Sequence, residues 1–173
     1  MILETKNLII REILPSDVDG IFELDSNPEV HRYMGGHVLN NKKEAEDRIQ
    51  HIRQQYIDNG IGRWAVIEKK SGDFIGWTGI KLEDIETNGF TNYYDLGYRF
   101  IPRYWGKGYG FESTLDSFNH IVKMLDLKKV CGAAHIDNIG SNRILQKVGL
   151  KFINEFIYDG AKHNWYEINI GEK

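Results

Sequence analysis

Gly106, Gly108 and Gly110 alternate with Lys107 and Tyr109 at the end of the run Pro102-Arg103-Tyr104-Trp105-Gly106-Lys107-Gly108-Tyr109-Gly110. Alternate glycines let a backbone adopt conformations that other residues avoid and lie close to a bulky anion. A helix that begins at such a turn points its unpaired amides and the positive end of its dipole at the same place. The chemistry this spacing suits is therefore the binding of a phosphate or pyrophosphate. A magnesium-nucleotide loop is excluded, because it needs Ser or Thr directly after Gly-Lys and here Lys107 is followed by Gly108. A dinucleotide fingerprint fits poorly: its third glycine would come one position later, on the first strand of a parallel unit. A turn that serves geometry alone stays open as the plain alternative.

The elements that must position this turn follow from periodicity. Leu8 to Leu14 predicts a first strand ended by Pro15, after which Ser16 with Asp17 offers an N-cap to a helix through Phe22 and Leu24. Lys43 to Asn59 predicts a second, charged helix, with Ile49, Ile52 and Tyr56 at helical spacing and Asn59-Gly60 as its stop. Trp64 to Ile67 and Phe74 to Ile80 are strand-like runs around the hairpin turn Lys70-Ser71-Gly72-Asp73. Tyr93 to Ile101 predicts a further strand, and Gly110 to Leu125 a helix with Phe111, Leu115, Phe118 and Val122 on one side. The glycines sit at that joint. Lys129 to His135 predicts another strand, Ser141 to Lys147 a short helix, and Phe152 to Tyr158 with Trp165 to Ile170 a last pair joined across Asp159-Gly160. This order favours an α/β (α+β) architecture, a mixed and mostly antiparallel sheet of about six to seven strands flanked by about four helices.

Composition narrows the partners. The 173 residues, 41% of them hydrophobic, suit a single domain over residues 1–173. With 25 acidic and 22 basic residues the formal charge is -3, which argues against nucleic acid or an anionic membrane and for a small ligand. The lone Cys131 forms no internal disulfide, and no apolar run reaches the about 20 residues that a membrane-spanning helix needs. Glu4, Lys6, Arg11 and Glu12 interrupt any N-terminal signal region, so a cytoplasmic location is expected.

Gly97 to Gly110 resembles motif A of the GNAT acetyltransferases, within which the chain is most similar to the RimJ/RimL-type branch. Glu4-Thr5-Lys6-Asn7-Leu8-Ile9-Ile10-Arg11 is similar to that branch's first strand, and Asn27-Pro28-Glu29-Val30 with Tyr33-Met34 resembles its early helical region. A second stretch, Asn138 to Leu150, is similar to the family pattern N-x-x-S-x-x-x-L-x-K-x-G-F. The resemblance covers nearly the whole chain and implies acetyl transfer from acetyl-CoA to an amine without a metal, on a sheet splayed between its two central strands.

Carried over residue by residue, the resemblance implies that backbone amides of Trp105, Gly106, Lys107, Gly108, Tyr109 and Gly110 hold the CoA pyrophosphate, with Lys107 adding charge. Phe100 and Ile101 would offer main-chain groups to the pantetheine arm, and an amide between Tyr98 and Phe100 would meet the developing oxyanion. Asn138 would bond the arm and Ser141 the departing thiolate, although both are also good helix-capping types. Many relatives place a tyrosine acid four residues after the serine, where this chain has Leu145. The formula Q/R-x-x-G-x-G/A matches from Arg103, but alignment on Pro102 and the Gly106-Lys107-Gly108 core puts Trp105 in the Gln/Arg slot. An alkylammonium with a pKa of about 10 must lose a proton before it attacks, and Asp95 is the first candidate base, with His135 behind it. The acceptor pocket is expected to involve Tyr33 to Leu39 and Asp159 to His163. The acceptor itself stays open between a protein N-terminus and a small amine, the assembly between monomer and homodimer, and a non-catalytic acyl-CoA-binding module is the alternative.

Overall fold

The computed structural model describes residues 2–171. Eight strands form one sheet in the order β1-β2-β3-β4-β5-β6-β8-β7. They are β1 Ile2–Glu4, β2 Leu8–Glu12, β3 Trp64–Glu68, β4 Phe74–Glu83, β5 Tyr93–Phe100, β6 Lys129–His135, β7 Lys151–Tyr158 and β8 Ala161–Asn169. Helices α1 Val18–Asp25, α2 Lys42–Asn59, α3 Tyr109–Met124 and α4 Ile139–Val148 flank it, with short 3-10 turns at Pro15–Asp17 and Pro102–Tyr104. Every strand pair is antiparallel except β5 with β6, which run parallel. The mixed, mostly antiparallel sheet and the four helices expected from periodicity are present.

The additional strand is β1, too short to carry a pattern of its own. Tertiary bonds hold it: Glu112 of α3 accepts from the Thr5 hydroxyl at 2.5 Å and from the Asn7 amide and side chain, each at 2.9 Å, gripping the β1–β2 turn. At α1 the expected cap is replaced. The Asp17 carboxylate is claimed by both guanidinium nitrogens of Arg11, at 2.8 and 2.9 Å, and by the Leu14 amide at 2.8 Å, so it makes no cap bond to α1. By contrast, Asn41 caps α2 by accepting from Glu44 N, a typical N-cap bond.

Each sheet face carries its own core. On one, Leu96, Val130 and Tyr166 of the strands pack with Phe118, Ile121 and Leu145 of α3 and α4, all 5% exposed or less. On the other, Ala65 and Ile67 pack with Ile21, Ala45 and Ile49 of α1 and α2. Burying one such isoleucine contributes about 1.5–3 kcal/mol. Among the described residues no helix is long and apolar enough to cross a membrane.

Candidate active site

Strands β5 and β6 meet at a single register pair, Asp95 with Cys131, and then diverge. The edge of β5 beyond Asp95 is therefore open. The Ile101 amide donates to Ile75 O at 2.9 Å and its carbonyl accepts from Tyr104 N at 2.9 Å, so both groups of Ile101 are used inside the protein. Backbone groups alternate in direction along a strand, which turns those of Tyr98 and Phe100 toward the opening. The Phe100 carbonyl accepts from the Trp105 indole at 2.8 Å, and the amides of Tyr98 and Phe100 face the opening. Of the pair expected to offer main-chain groups, Phe100 has its amide toward the opening and Ile101 does not. Ile101 is a core side chain, 2% exposed, beside Leu8 and Leu24.

The glycine turn closes one end of this opening. Gly106 and Gly108 have φ of +75° and +79°, and a Cβ on either would meet nothing within 4 Å, so the turn presents clear space. The amides of Gly106, Lys107 and Gly108 donate to no backbone carbonyl among the described residues, and the first α3 bond is Glu112 N to Gly108 O. Tyr109, Gly110 and Phe111 are the orphan amides of the helix start. This cradle of unpaired donors fits a pyrophosphate. Gly110 has a different duty: a Cβ there would sit 3.0 Å from Ile144 Cδ1, so it sets how closely α4 packs on α3. Trp105 is 48% exposed, with its amide spent on Pro102 O and its indole on Phe100. Lys107 is exposed, its ammonium 5.4 Å from the centre of the Tyr104 ring.

Helix α4 forms the opposite wall. Asn138 is its N-cap, accepting from Ser141 N at 3.2 Å. Tyr98 of β5 reaches across, its hydroxyl 2.5 Å from Ser141 O and 3.0 Å from Ser141 Oγ. A phenol has one proton; with that proton on the carbonyl, the serine hydroxyl donates to the phenol oxygen. Burial raises the Tyr98 pKa, with the Ser141 bond partly opposing the shift, so the phenol stays protonated. Leu145, 1% exposed, lies in the core, and the nearby phenol comes from β5 instead. Below, Asn142 donates to His135 O and Asn138 O and accepts from Tyr166 and Asn164, binding α4 to β6 and β8.

The other sheet face holds the second half of the site. Register places Asp95, Gly97 and Arg99 of β5 on the same side as Trp77 of β4 and as Ala133, His135, His163 and Trp165 of β6 and β8. The Asp95 carboxylate accepts from Arg63 Nη2 at 2.5 Å, and Nη1 of the same guanidinium bonds Gly79 O and Asp95 O. Trp77 lies against Arg63 and Arg99, 5.1 and 5.3 Å from its ring centre. The His135 Nδ1 accepts from Asp137 N at 3.0 Å, which puts the proton of the neutral ring on Nε2 and leaves that atom no lone pair for a base. The two loops expected at the acceptor pocket converge. A Cβ on Gly35 would sit 2.3 Å from Asp159 Oδ2, and Tyr33, His135 and His163 form a chain of rings 5.3 Å apart.

Asp95, Ser141, Asn138, Phe100 and the glycine turn thus lie around one opening between β5 and β6. The Tyr98 hydroxyl, Arg63, Trp77, Arg99 and Asn142 were not anticipated. Strand alternation groups Arg99 with Asp95, but Arg63 has no local signal because it precedes β3 and acts two strands away.

The family described as "Acetyltransferase (GNAT) domain" matches residues 7–151. The chain is 27% identical over 172 residues to the uncharacterized N-acetyltransferase YoaA of Bacillus subtilis (strain 168), covering 98% of this chain and 94% of that protein. Among solved structures, a ribosomal-protein-S5-alanine acetyltransferase from Vibrio fischeri superposes with a TM-score of 0.81 at 17% identity, covering 99% and 98% of the two chains. A RimL ribosomal L7/L12 alpha-N-protein acetyltransferase in complex with coenzyme A superposes with a TM-score of 0.82 at 16% identity, over 98% of each chain.

Proposed function

Because this chain belongs to the GNAT acetyltransferase family and is an acyltransferase, we propose that it transfers acetyl from acetyl-CoA to a primary amine while both are bound. The observation that carries this reading is the opening between β5 and β6. Its walls are the inward-facing amides of Tyr98 and Phe100 on one side and Asn138 with Ser141 on the other, and it ends at the open glycine turn.

When bound, the donor supplies an acetyl thioester whose carbonyl gains negative charge as the amine attacks. The amides from Gly106 to Gly110 and Phe111 hold the pyrophosphate, and Lys107 adds charge at the rim. The Phe100 amide pairs with the pantetheine arm as an added strand would, and the Tyr98 amide faces the carbonyl oxygen. Asp95 takes the ammonium proton, directly or through water, while Arg63 fixes its other oxygen. The serine hydroxyl turns from Tyr98 to donate to the thiolate as the C–S bond breaks, and Tyr98 holds Ser141 in place. The structural neighbours named for ribosomal proteins make a protein N-terminus one candidate acceptor, and a small amine is the other. We place the enzyme in the cytoplasm.

The test is release of free CoA thiol from acetyl-CoA with a panel of amines and N-terminal peptides, with mass spectrometry of the acetylated acceptor. Tight acetyl-CoA binding without thiol release across the panel would overturn the reading in favour of an acyl-CoA-binding module. Thermal stabilisation by ATP or NAD equal to that by acetyl-CoA would undo the donor assignment.

A further inference from the structure

Arg99 lies on the acceptor face with donors it does not use. Its side chain is 13% exposed, and Nη1 donates to Asp25 Oδ1 at 2.6 Å. Nε is buried without a partner, and the contact of Nη2 is the Met34 thioether at 3.3 Å, a weak acceptor. Nε–H and Nη2–H leave the same edge of a guanidinium in parallel, which is the fork that receives both oxygens of a carboxylate. Asp25, fully buried, already shares its carboxylate with Arg48 at 2.6 Å, so two cations face one anion. Burial holds the neighbouring His31 below the ordinary imidazole range and adds no negative charge. The group has an unmatched positive charge and an unmet bidentate donor edge in a partly dry setting, where both favour an anion. Trp77 backs the guanidinium plane, and Asp95 lies four residues back on the same strand face.

On the acetyltransferase reading above, we propose that the acceptor is a small amine that also carries a carboxylate, received by the Nε/Nη2 edge of Arg99 over Trp77. The Met34 thioether occupies that edge and is displaced by the acceptor. Met34 is 37% exposed, in the segment that lies against the β7–β8 turn, so it leaves toward solvent.

Two measurements test this. In the first, thiol release is followed with L-amino acids and their carboxamides as matched acceptors. The acids are expected to be better by about tenfold or more in kcat/KM, because a site built for a polar group rejects the analogue lacking it. Met34→Ala is expected to lower the KM of the acids by more than that of the amides. Equal turnover of acids and amides, or of a short peptide with no carboxylate in its first two residues, overturns the carboxylate proposal and leaves acetyl transfer standing. In the second, the Arg99 Nε–H resonance is followed by NMR during titration with N-acetylglycine and with N-acetylglycinamide. A saturable shift with the acid alone is the expected result, and calorimetry is expected to show that Arg99→Lys weakens binding of the acid by about tenfold or more. The same response to both compounds, or to neither, overturns the proposal even if no acceptor turns over.

Discussion

The Tyr98 hydroxyl, from the middle of β5, lies 2.5 Å from the main-chain carbonyl of Ser141 in the first turn of α4, 43 residues away in sequence. This bond spans the opening that β5 and β6 leave when they part after Asp95 and Cys131. It ties the two walls of that opening together and places two hydroxyls side by side between them.

Removing either hydroxyl should damage the same step. Ser141→Ala is expected to lower kcat by about tenfold or more, with a smaller change in KM for acetyl-CoA. Tyr98→Phe should lower kcat in the same direction and cost about 1 kcal/mol of stability for the lost bond. If the two act as a unit, steady-state kinetics of the double variant will show no more loss than the worse single. Strict additivity would separate their roles.

Asp95→Asn should cost both stability and rate. It leaves the Arg63 guanidinium, 9% exposed, without its counter-charge, an effect of about 3 kcal/mol. The rate effect has its own signature: it is expected to be largest at neutral pH for acceptors with amine pKa about 10 and to shrink for those near about 8. Measuring kcat across amines of graded basicity checks this, since a purely structural role would slow all acceptors alike.

Gly106→Ala and Gly108→Ala are each expected to destabilise by about 1 kcal/mol, because both backbones are left-handed while the added methyl meets open space. KM for acetyl-CoA should rise more than kcat falls. Gly110→Ala works through packing instead, pushing on Ile144. Thermal melts with and without acetyl-CoA distinguish the two: the first pair should lose ligand-induced stabilisation as well as baseline stability, the last baseline stability alone.

Stability should fall on mild acidification through His31. Its Nε2 donates to Asp25 O at 2.8 Å, its Nδ1 is buried and unpartnered, and burial holds its pKa below the ordinary imidazole value. Below about pH 6.5 the unfolded chain takes up a proton that the folded chain refuses, so stability drops until the pH passes the lowered folded value. His31→Gln keeps a donor to Asp25 and removes the titration. Melting temperature against pH should be flatter for this variant than for the wild type, and parallel curves would refute the assignment.

Cys131 should be inert while the protein is folded. The thiol is 1% exposed and burial pushes its pKa up to about 12, so almost no thiolate exists at pH 8. A colorimetric thiol reagent is expected to find no reactive group in the native protein and one per chain in denaturant. Fast native labelling would show that the junction of β5 and β6 opens without global unfolding.

The candidate donor half of the site was legible in local patterns. Gly106 to Gly110 at a strand–helix joint, and Asn138 with Ser141 at a second helix start, are short-range patterns whose geometry follows from adjacent residues. The hairpins and the apolar faces of α3 and α4 were legible for the same reason. Which groups are taken up by partners followed from contacts between distant segments. Ile101 turns its amide to β4, Asn138 spends its side chain on Ser141 N, Arg63 reaches Asp95, and Tyr98 meets Ser141. Periodicity states which face of its own element a side chain takes. What it touches depends on strand order and register between distant segments, and on the competition of neighbours for each donor and acceptor.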